Sequence, residues 1–393
     1  MILPEFTNTI EFQMSLLLFL ALAGYLLASK INQSVVIGEI IVGIIIGPSV
    51  FGLITYTDFV KSIATFGAII LLFVVGLEFK LKDIFNIKYG VIALFGVILP
   101  WVGGFYLSEA FGYSFSSAVF VGTALTATSI AITANVLREM GKLQTDAAKA
   151  IIGAAVIDDV LSLLVLAFSE QIVHGEISLL SLSLISIKAL MFLVVGAYVG
   201  QKYLTKIIMR IDKSSTSTKF PEFIFIFAMA VAFFYAMIAE YIHLSAIVGA
   251  FLAGVSLEGV VIRNGKDYRE GASYLHIIFA SIFFVSLGIL ADFHSITSSL
   301  LWFLLALTVV AALTKFIGCY LPSKFLGFSN KDAMVIGVGM VPRGEVAMIV
   351  AVIGLNSGLI MQDIYISLVL MSLLTTIITP ILLKNWFYKL SKT

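Results

Sequence analysis

Thirteen stretches of mostly apolar residues, each long enough to cross a bilayer as a helix, constrain this chain more than any other feature. Crossing the hydrocarbon layer takes about 17–25 such residues. Windows of that kind fall at 12–29, 35–54, 63–79, 89–107, 115–137, 147–169, 182–200, 223–239, 244–262, 274–291, 300–321, 333–355 and 364–383. In lipid every backbone polar group must be satisfied internally, so the expected fold is an all-α polytopic membrane protein. Composition agrees: 60% of the 393 residues are hydrophobic and 12% charged, where soluble domains carry about 25% charged residues. The first stretch has acids and no base before it, and no small-residue cleavage pattern after it, so it reads as a retained helix. A single cysteine, Cys319, excludes a disulfide framework or a cysteine-rich metal site. The net charge of +1 gives no sign of a nucleic-acid partner, and no cofactor motif is present.

Placement of the charges is more telling than their sum. With thirteen crossings the odd-numbered loops and the C-terminus share one side, which holds twenty basic residues from Lys30 to Lys392; the other side holds only Lys61. Lysine and arginine accumulate on the cytoplasmic face. The reading is a multi-pass protein of the plasma (inner) membrane, N-terminus outside and C-terminus cytoplasmic. Three basic residues remain inside spans. Lys188 is placed to snorkel outward, while Lys315 and Arg343 lie deeper, near the level of Asp158, Asp159, Glu345 and, less deeply, Glu39. Each acid at such depth costs at least about 2.5 kcal/mol on insertion scales. Opposite charges have gathered near one plane.

The chain also repeats. "EIIVGIIIGPSVFG" from Glu39 resembles "SAIVGAFLAGVSLEG" from Ser245, and "LFVVGLEFKLKDI" from Leu72 resembles "FFVSLGILADFHSI" from Phe283. Gly43 then matches Gly249 at an offset of 206, and Gly76 matches Gly288 at 212. Helices 1–6 pair with helices 8–13, seven apart, so equivalents enter from opposite sides and helix 7 links two inverted six-helix repeats. Under this pairing the fifth and twelfth spans correspond, and both are poor continuous helices. "TALTATSIAIT" is crowded with hydroxyl side chains that compete for backbone partners. "GMVPRGEVAMI" has Pro342 and Gly344 interrupting the hydrogen-bond ladder. Unwound backbone at that depth survives only inside protein or along a hydrated cavity, and its helix ends suit ion coordination.

The "IDD" of the sixth span, "TATS" of the fifth, "LTKFIG" of the eleventh and "VPRGEVAMI" of the twelfth together resemble the monovalent cation/proton antiporter superfamily, most closely its NapA-type sodium/proton exchangers. The resemblance covers almost the whole chain. It implies a thirteen-helix, N-out, homodimeric antiporter fold of the NhaA/NapA-like kind, with 1–393 as one membrane transporter domain. A dimerisation part (about 12–79 and 223–291) would stay fixed while a core (about 89–169 and 300–383) moves like an elevator, the two joined by a connector (about 182–219), with no soluble regulatory domain. By position, Asp159 looks like the main ion and proton carboxylate, Asp158 its partner, and Lys315 the lysine that pairs with Asp158 when no cation is bound. Thr126, Thr128 and Ser129 lie in the stretch that lines the ion site. The implied cargo is Na⁺ (or Li⁺) against H⁺, with K⁺/H⁺ exchange of the Kef type as the alternative. Members with two adjacent aspartates are generally electrogenic, so electrogenic exchange is expected.

The residues themselves support a compatible chemistry. Successive helix positions differ by about 100°, so Asp158 and Asp159 face different ways: one toward broken backbone, the other toward Lys315. Two carboxylates this close titrate as a coupled unit, and oxygen-only ligands favour a hard cation such as Na⁺ over a transition metal. The plainer reading, a structural ion pair, is weakened by the broken helices beside it. Arg343 and Glu345 are expected to neutralise helix ends rather than touch the ion. Glu78, near Lys80 and Lys82, is either a surface partner or a charge compensator. Glu39, with Gly38 and Gly43, serves either the dimerisation part or an ion funnel, packing being the favoured reading; the four histidines are expected at interfaces and Cys319 in packing. An intramembrane aspartyl protease needs acids on two facing helices, which adjacent aspartates cannot supply. A passive channel or sensor fits poorly, because fast pores need weak multi-site binding.

Overall fold

Helices make up all the regular structure among the described residues, which are 9–83, 86–174, 178–262, 267–294 and 298–388 of the computed structural model. Of the basic residues assigned to one side, Arg263, Lys266, Lys389 and Lys392 lie outside them. In chain order the helices are α1 (Ile10–Ile31), α2 (Val35–Ile46), α3 (Asp58–Gly76), α4 (Ile87–Ala110), α5 (Phe115–Ala124), α6 (Ile130–Glu139), α7 (Asp146–His174), α8 (Leu179–Val199), α9 (Thr205–Asp212) and α10 (Ser215–Lys219). Then follow α11 (Phe223–Tyr241), α12 (Ala246–Leu257), α13 (Tyr268–Ile289), α14 (Ser298–Phe325), α15 (Asn330–Gly339), α16 (Glu345–Asn356) and α17 (Gln362–Leu382). Hydroxyl caps set several starts: the side chains of Thr9, Thr57, Ser114 and Ser329 accept hydrogen bonds from the first-turn N–H groups of α1, α3, α5 and α15. Asn32 ends α1 in the left-handed region, at φ 53°.

Nine of the described helical stretches are long and apolar enough to cross a membrane. α2 and α12 are apolar but shorter, and two further stretches are interrupted, between α5 and α6 and between α15 and α16. Large side chains such as Phe19, Leu26, Val194 and Trp302 are exposed on the outside of the bundle, as expected of a protein whose outer solvent is lipid.

Helix contacts fall into two sets. α1, α2, α3, α11, α12 and α13 pack among themselves, with α3 against both α12 and α13 at the centre. α4, α5, α7, α14, α15, α16 and α17 form the second set, centred on the α4–α14 contact. α8 leans on α7 from one set and α12 from the other, and α6 touches α7 and α3. In the first set the backbones meet directly. A Cβ at Gly43 would overlap the Val285 carbonyl beside Gly288, and one at Gly254 would overlap the Phe73 carbonyl beside Gly76. Small residues permit such approach between helices in lipid. Gly254→Val should therefore force α3 and α12 apart, at the 1–3 kcal/mol typical of overpacking or more (about that order), and lower the melting midpoint in detergent. Gly259→Ala, where a Cβ meets nothing within 4 Å, should leave it unchanged.

Candidate functional site

Two helices stop short in the middle of the second set. α5 ends at Ala124 and α6 begins at Ile130; α15 ends at Gly339 and α16 begins at Glu345. In the first gap the hydroxyls bond locally: Thr123 Oγ1 donates to the Val119 carbonyl (2.8 Å) and Thr126 Oγ1 to the Thr123 carbonyl (2.7 Å). In the second, Pro342 has no N–H to continue the ladder. The unwound segments cross and bond to each other. Ser129 N–H donates to the Pro342 carbonyl at 2.8 Å, Thr128 Oγ1 to the Met340 carbonyl at 3.3 Å, and Thr133 Oγ1 to the Gly339 carbonyl at 2.6 Å. A Cβ at Gly344 would press on Ser129, so the crossing needs glycine there.

Arg343 is fully enclosed at this crossing. Its Nη1 donates to the Ala127 carbonyl and its Nη2 to the Ala311 carbonyl, each at 3.1 Å. Its own backbone is held by Thr375, which accepts from the N–H, and Thr376, which donates to the carbonyl. A guanidinium spreads its donors in a fixed fork, and here one arm reaches a carbonyl of the unwound segment after α5 while the other ties it to the continuous helix α14. Glu345 opens α16; its side chain lies outside the described residues.

Lys315 reaches the same place from α14. Its Nζ donates to Asp158 Oδ1 at 2.8 Å and to the Thr126 carbonyl at 2.5 Å, and both side chains of the ion pair are 0% exposed. Gly96 on α4 leaves room beside the lysine stem, where a side chain would collide with Cys319. Asp158 Oδ2 has no hydrogen-bond partner among the described residues. Burying such a pair carries a desolvation cost that mutual attraction offsets only when the geometry is good.

Asp159, the next residue, is 7% exposed. With Thr128, Ser129, Ile130 and Ala131 it lines a small cavity, closed by Val346 of α16 and by Ser245 and Ile247 at the start of α12. The cavity thus lies between the two sets of helices, at the N-terminal end of α6, where the helix dipole is positive. Its polar lining is carboxylate and hydroxyl oxygen, donors that suit a hard cation.

Among the residues singled out in the sequence, Asp158 meets Lys315, and Asp159 shares its cavity with Thr128 and Ser129. Thr126 does not line that cavity; its carbonyl turns to Lys315 and its hydroxyl back along α5. Glu78 pairs with Arg138 of α6 at 3.0 Å and lies in a different, larger cavity. Ser245, Thr375 and Thr376 were not anticipated. Ser245 opened a repeated segment in the sequence, but its place beside Asp159 depends on how the two sets meet. Thr375 and Thr376 are ordinary helix hydroxyls until Arg343 is placed against them.

The family described as "Sodium/hydrogen exchanger, transmembrane" matches residues 16–388. Among relatives, the Na(+)/H(+)-K(+) antiporter GerN of Bacillus cereus is 35% identical over 383 residues, covering 96% of each chain. The Na(+)/H(+) antiporter of Enterococcus hirae is 33% identical over 377 residues, covering 95% of this chain and 97% of its own. In fold, the chain is similar to the sodium proton antiporter MjNhaP1 from Methanocaldococcus jannaschii, with a TM-score of 0.72 at 18% identity over 95% of this chain and 94% of that one. With a family match over nearly its full length and relatives above 30% identity, the chain belongs to the sodium/hydrogen exchangers, a family of multi-pass membrane transporters and not of enzymes.

Proposed function

We propose that the chain exchanges Na⁺ for protons across the membrane, with Asp159 as the carboxylate at which cation and proton compete. The observation that carries this reading is the enclosed Lys315–Asp158 pair directly beside Asp159 at the crossing of two unwound segments. In the cation-free state Asp159 holds a proton, and Asp158 is neutralised by Lys315. Entry of Na⁺ displaces the Asp159 proton. It also competes with Lys315 for Asp158, and the lysine gives up a proton as its partner turns to the cation. Two protons leave for one Na⁺, so the site changes charge by one and exchange is electrogenic. Thr128 and Ser129 supply neutral oxygens, while Arg343 holds the crossing.

The packing supports a division of labour. The first helix set corresponds to the dimerisation part of a homodimer and the second to a core that slides against it like an elevator, with the α8 region as connector. The cavity of Asp159 lies at the seam between the sets, where such sliding would alter access. Element bounds also support an inverted repeat: α2 and α12 begin 211 residues apart and end 211 apart, and α5/α15 and α6/α16 begin 215 apart. That register pairs Gly43 with Gly254, five residues from the Gly249 of the sequence match, and joins the Gly43–Gly288 and Gly76–Gly254 contacts by symmetry. With the two short helices and the two interrupted ones added to the nine long stretches, thirteen crossings result. On this reading the basic loops face the cytoplasm, which puts the N-terminus outside and the C-terminus inside at the plasma membrane.

Reconstitution into proteoliposomes tests this. Na⁺ should dissipate an imposed pH gradient, faster when the membrane potential favours net positive charge in the direction of the protons. Indifference to potential would remove the two-proton count, and the absence of proton movement with any alkali cation would remove the function. The name of GerN makes K⁺ the cation to run beside Na⁺ and Li⁺.

A further inference from the structure

A second cavity, of about 470 Å³, opens at the opposite end of α6 from Asp159. Asn135, Arg138 and Glu139 of α6 face Tyr25 of α1, Glu39 of α2, Glu78 after α3, and His276 and Ser281 of α13 across it. It therefore lies on the same seam between the helix sets, at the end toward the basic loops.

Two of its three carboxylates are engaged. Glu78 is paired with Arg138 at 3.0 Å. Glu139 accepts from Ser34 Oγ at 2.5 Å and from Val35 N–H at 3.1 Å, capping α2 from the neighbouring helix set. Arg138 spends a further donor on His276 Nδ1 at 3.1 Å, which leaves Nε2–H of a neutral ring to donate to Asn135 Oδ1 at 3.2 Å. That accounts for the basic groups that line the cavity.

Glu39 is the exception. It is 1% exposed, and its Oε1 has no hydrogen-bond partner among the described residues. Its neighbour across the cavity, Ser281, already spends its hydroxyl hydrogen on the Ile277 carbonyl at 2.8 Å and in that arrangement offers lone pairs. Space for the acid is built in: a Cβ at Gly24 of α1 would strike Glu39 Cγ. An enclosed charged carboxylate without partner is costly enough that it is neutralised instead. A carboxyl O–H donating to Ser281 Oγ, or an alkali cation bridging the carboxylate and that hydroxyl, each meets the need.

We propose that Glu39, with Ser281, forms a second exchange site at which a monovalent cation displaces a proton on the way to Asp159. The step balances: the Glu39 O–H bond breaks, its proton passes to water in the cavity, the cation takes its place, and the local charge is unchanged. Deeper passage then needs no bare carboxylate at the entrance. The idea rests on the exchange reading above, but its test separates the two.

Proton release on adding Na⁺ is measured in weakly buffered detergent solution for the Asp159→Asn protein and for Asp159→Asn/Glu39→Gln. The first should release protons, at higher Na⁺ than wild type needs; the second should release fewer, by the share that Glu39 gives up. In proteoliposomes Glu39→Gln alone should still exchange, with half-saturating Na⁺ raised several-fold and a flatter dependence on pH, and Ser281→Ala should show a smaller change in the same direction. Equal proton release from the Asp159→Asn protein and the double variant, or an unchanged half-saturation and pH profile in Glu39→Gln and Ser281→Ala, overturns the second site. If wild type moves no cation against protons, the exchange reading falls, yet Glu39-dependent proton release from the Asp159→Asn protein would still establish the site.

Discussion

Asp159→Asn is expected to reduce Na⁺-driven proton movement at least about 100-fold, to the background of empty liposomes, while the protein still folds. Asparagine keeps the size of the side chain and one carbonyl oxygen, so the small cavity against Thr128, Ser129 and Ser245 should survive, and the melting midpoint should move little. What it removes is the negative charge that repays a cation for leaving water, and the proton that the cation must displace. A 100-fold loss corresponds to about 2.7 kcal/mol, modest beside the several kcal/mol of effective cost for taking an ion out of water into protein. The wild-type protein gives the matching pH dependence. Because a proton occupies the carboxylate that the cation needs, half-saturating Na⁺ should rise as pH falls. Stopped-flow dye measurements across a pH series check both statements, and unimpaired exchange by Asp159→Asn would overturn the assignment of the site.

Some of this arrangement was legible before any coordinates. Residue type and spacing alone marked the interrupted fifth and twelfth spans, because hydroxyl crowding and Pro342 act on the local backbone. The deep charges stood out for the same reason: apolar surroundings make every ionisable group conspicuous. Which charge meets which was only partly readable. Asp158 and Lys315 are opposite charges at similar depth, and they do pair. Glu78, by contrast, sits two and four residues from lysines and pairs instead with Arg138, sixty positions away. Thr126 was grouped with Thr128 and Ser129 by adjacency, whereas unwinding turns its carbonyl to Lys315 and leaves its hydroxyl on α5. Glu39 reads along the chain as a packing residue or part of an ion funnel, and nothing in its neighbours there reveals a cavity assembled from α1, α6 and α13. Pattern shows where a backbone breaks and where charge is stored; the partners depend on how inverted halves dock.

Lys315→Met should be the most destabilising single change at the site. It removes the hydrogen-bond partner that Asp158 has among the described residues; the Asp158 side chain is 0% exposed, and breaking a buried pair from one side costs about 3–5 kcal/mol. Some exchange should persist, since Asp159 is intact. Asp158→Asn combined with Lys315→Met then separates stability from charge counting. The uncompensated acid is gone, so the melting midpoint should return close to wild type. At this site only Asp159 still holds an exchangeable proton, so one proton leaves for each Na⁺ and the site no longer changes charge between its two forms. Exchange by the double variant in proteoliposomes should continue with Na⁺ and ignore an imposed membrane potential that accelerates wild type. A double variant that still responds to potential would mean that the second proton is carried elsewhere than on the Asp158–Lys315 pair.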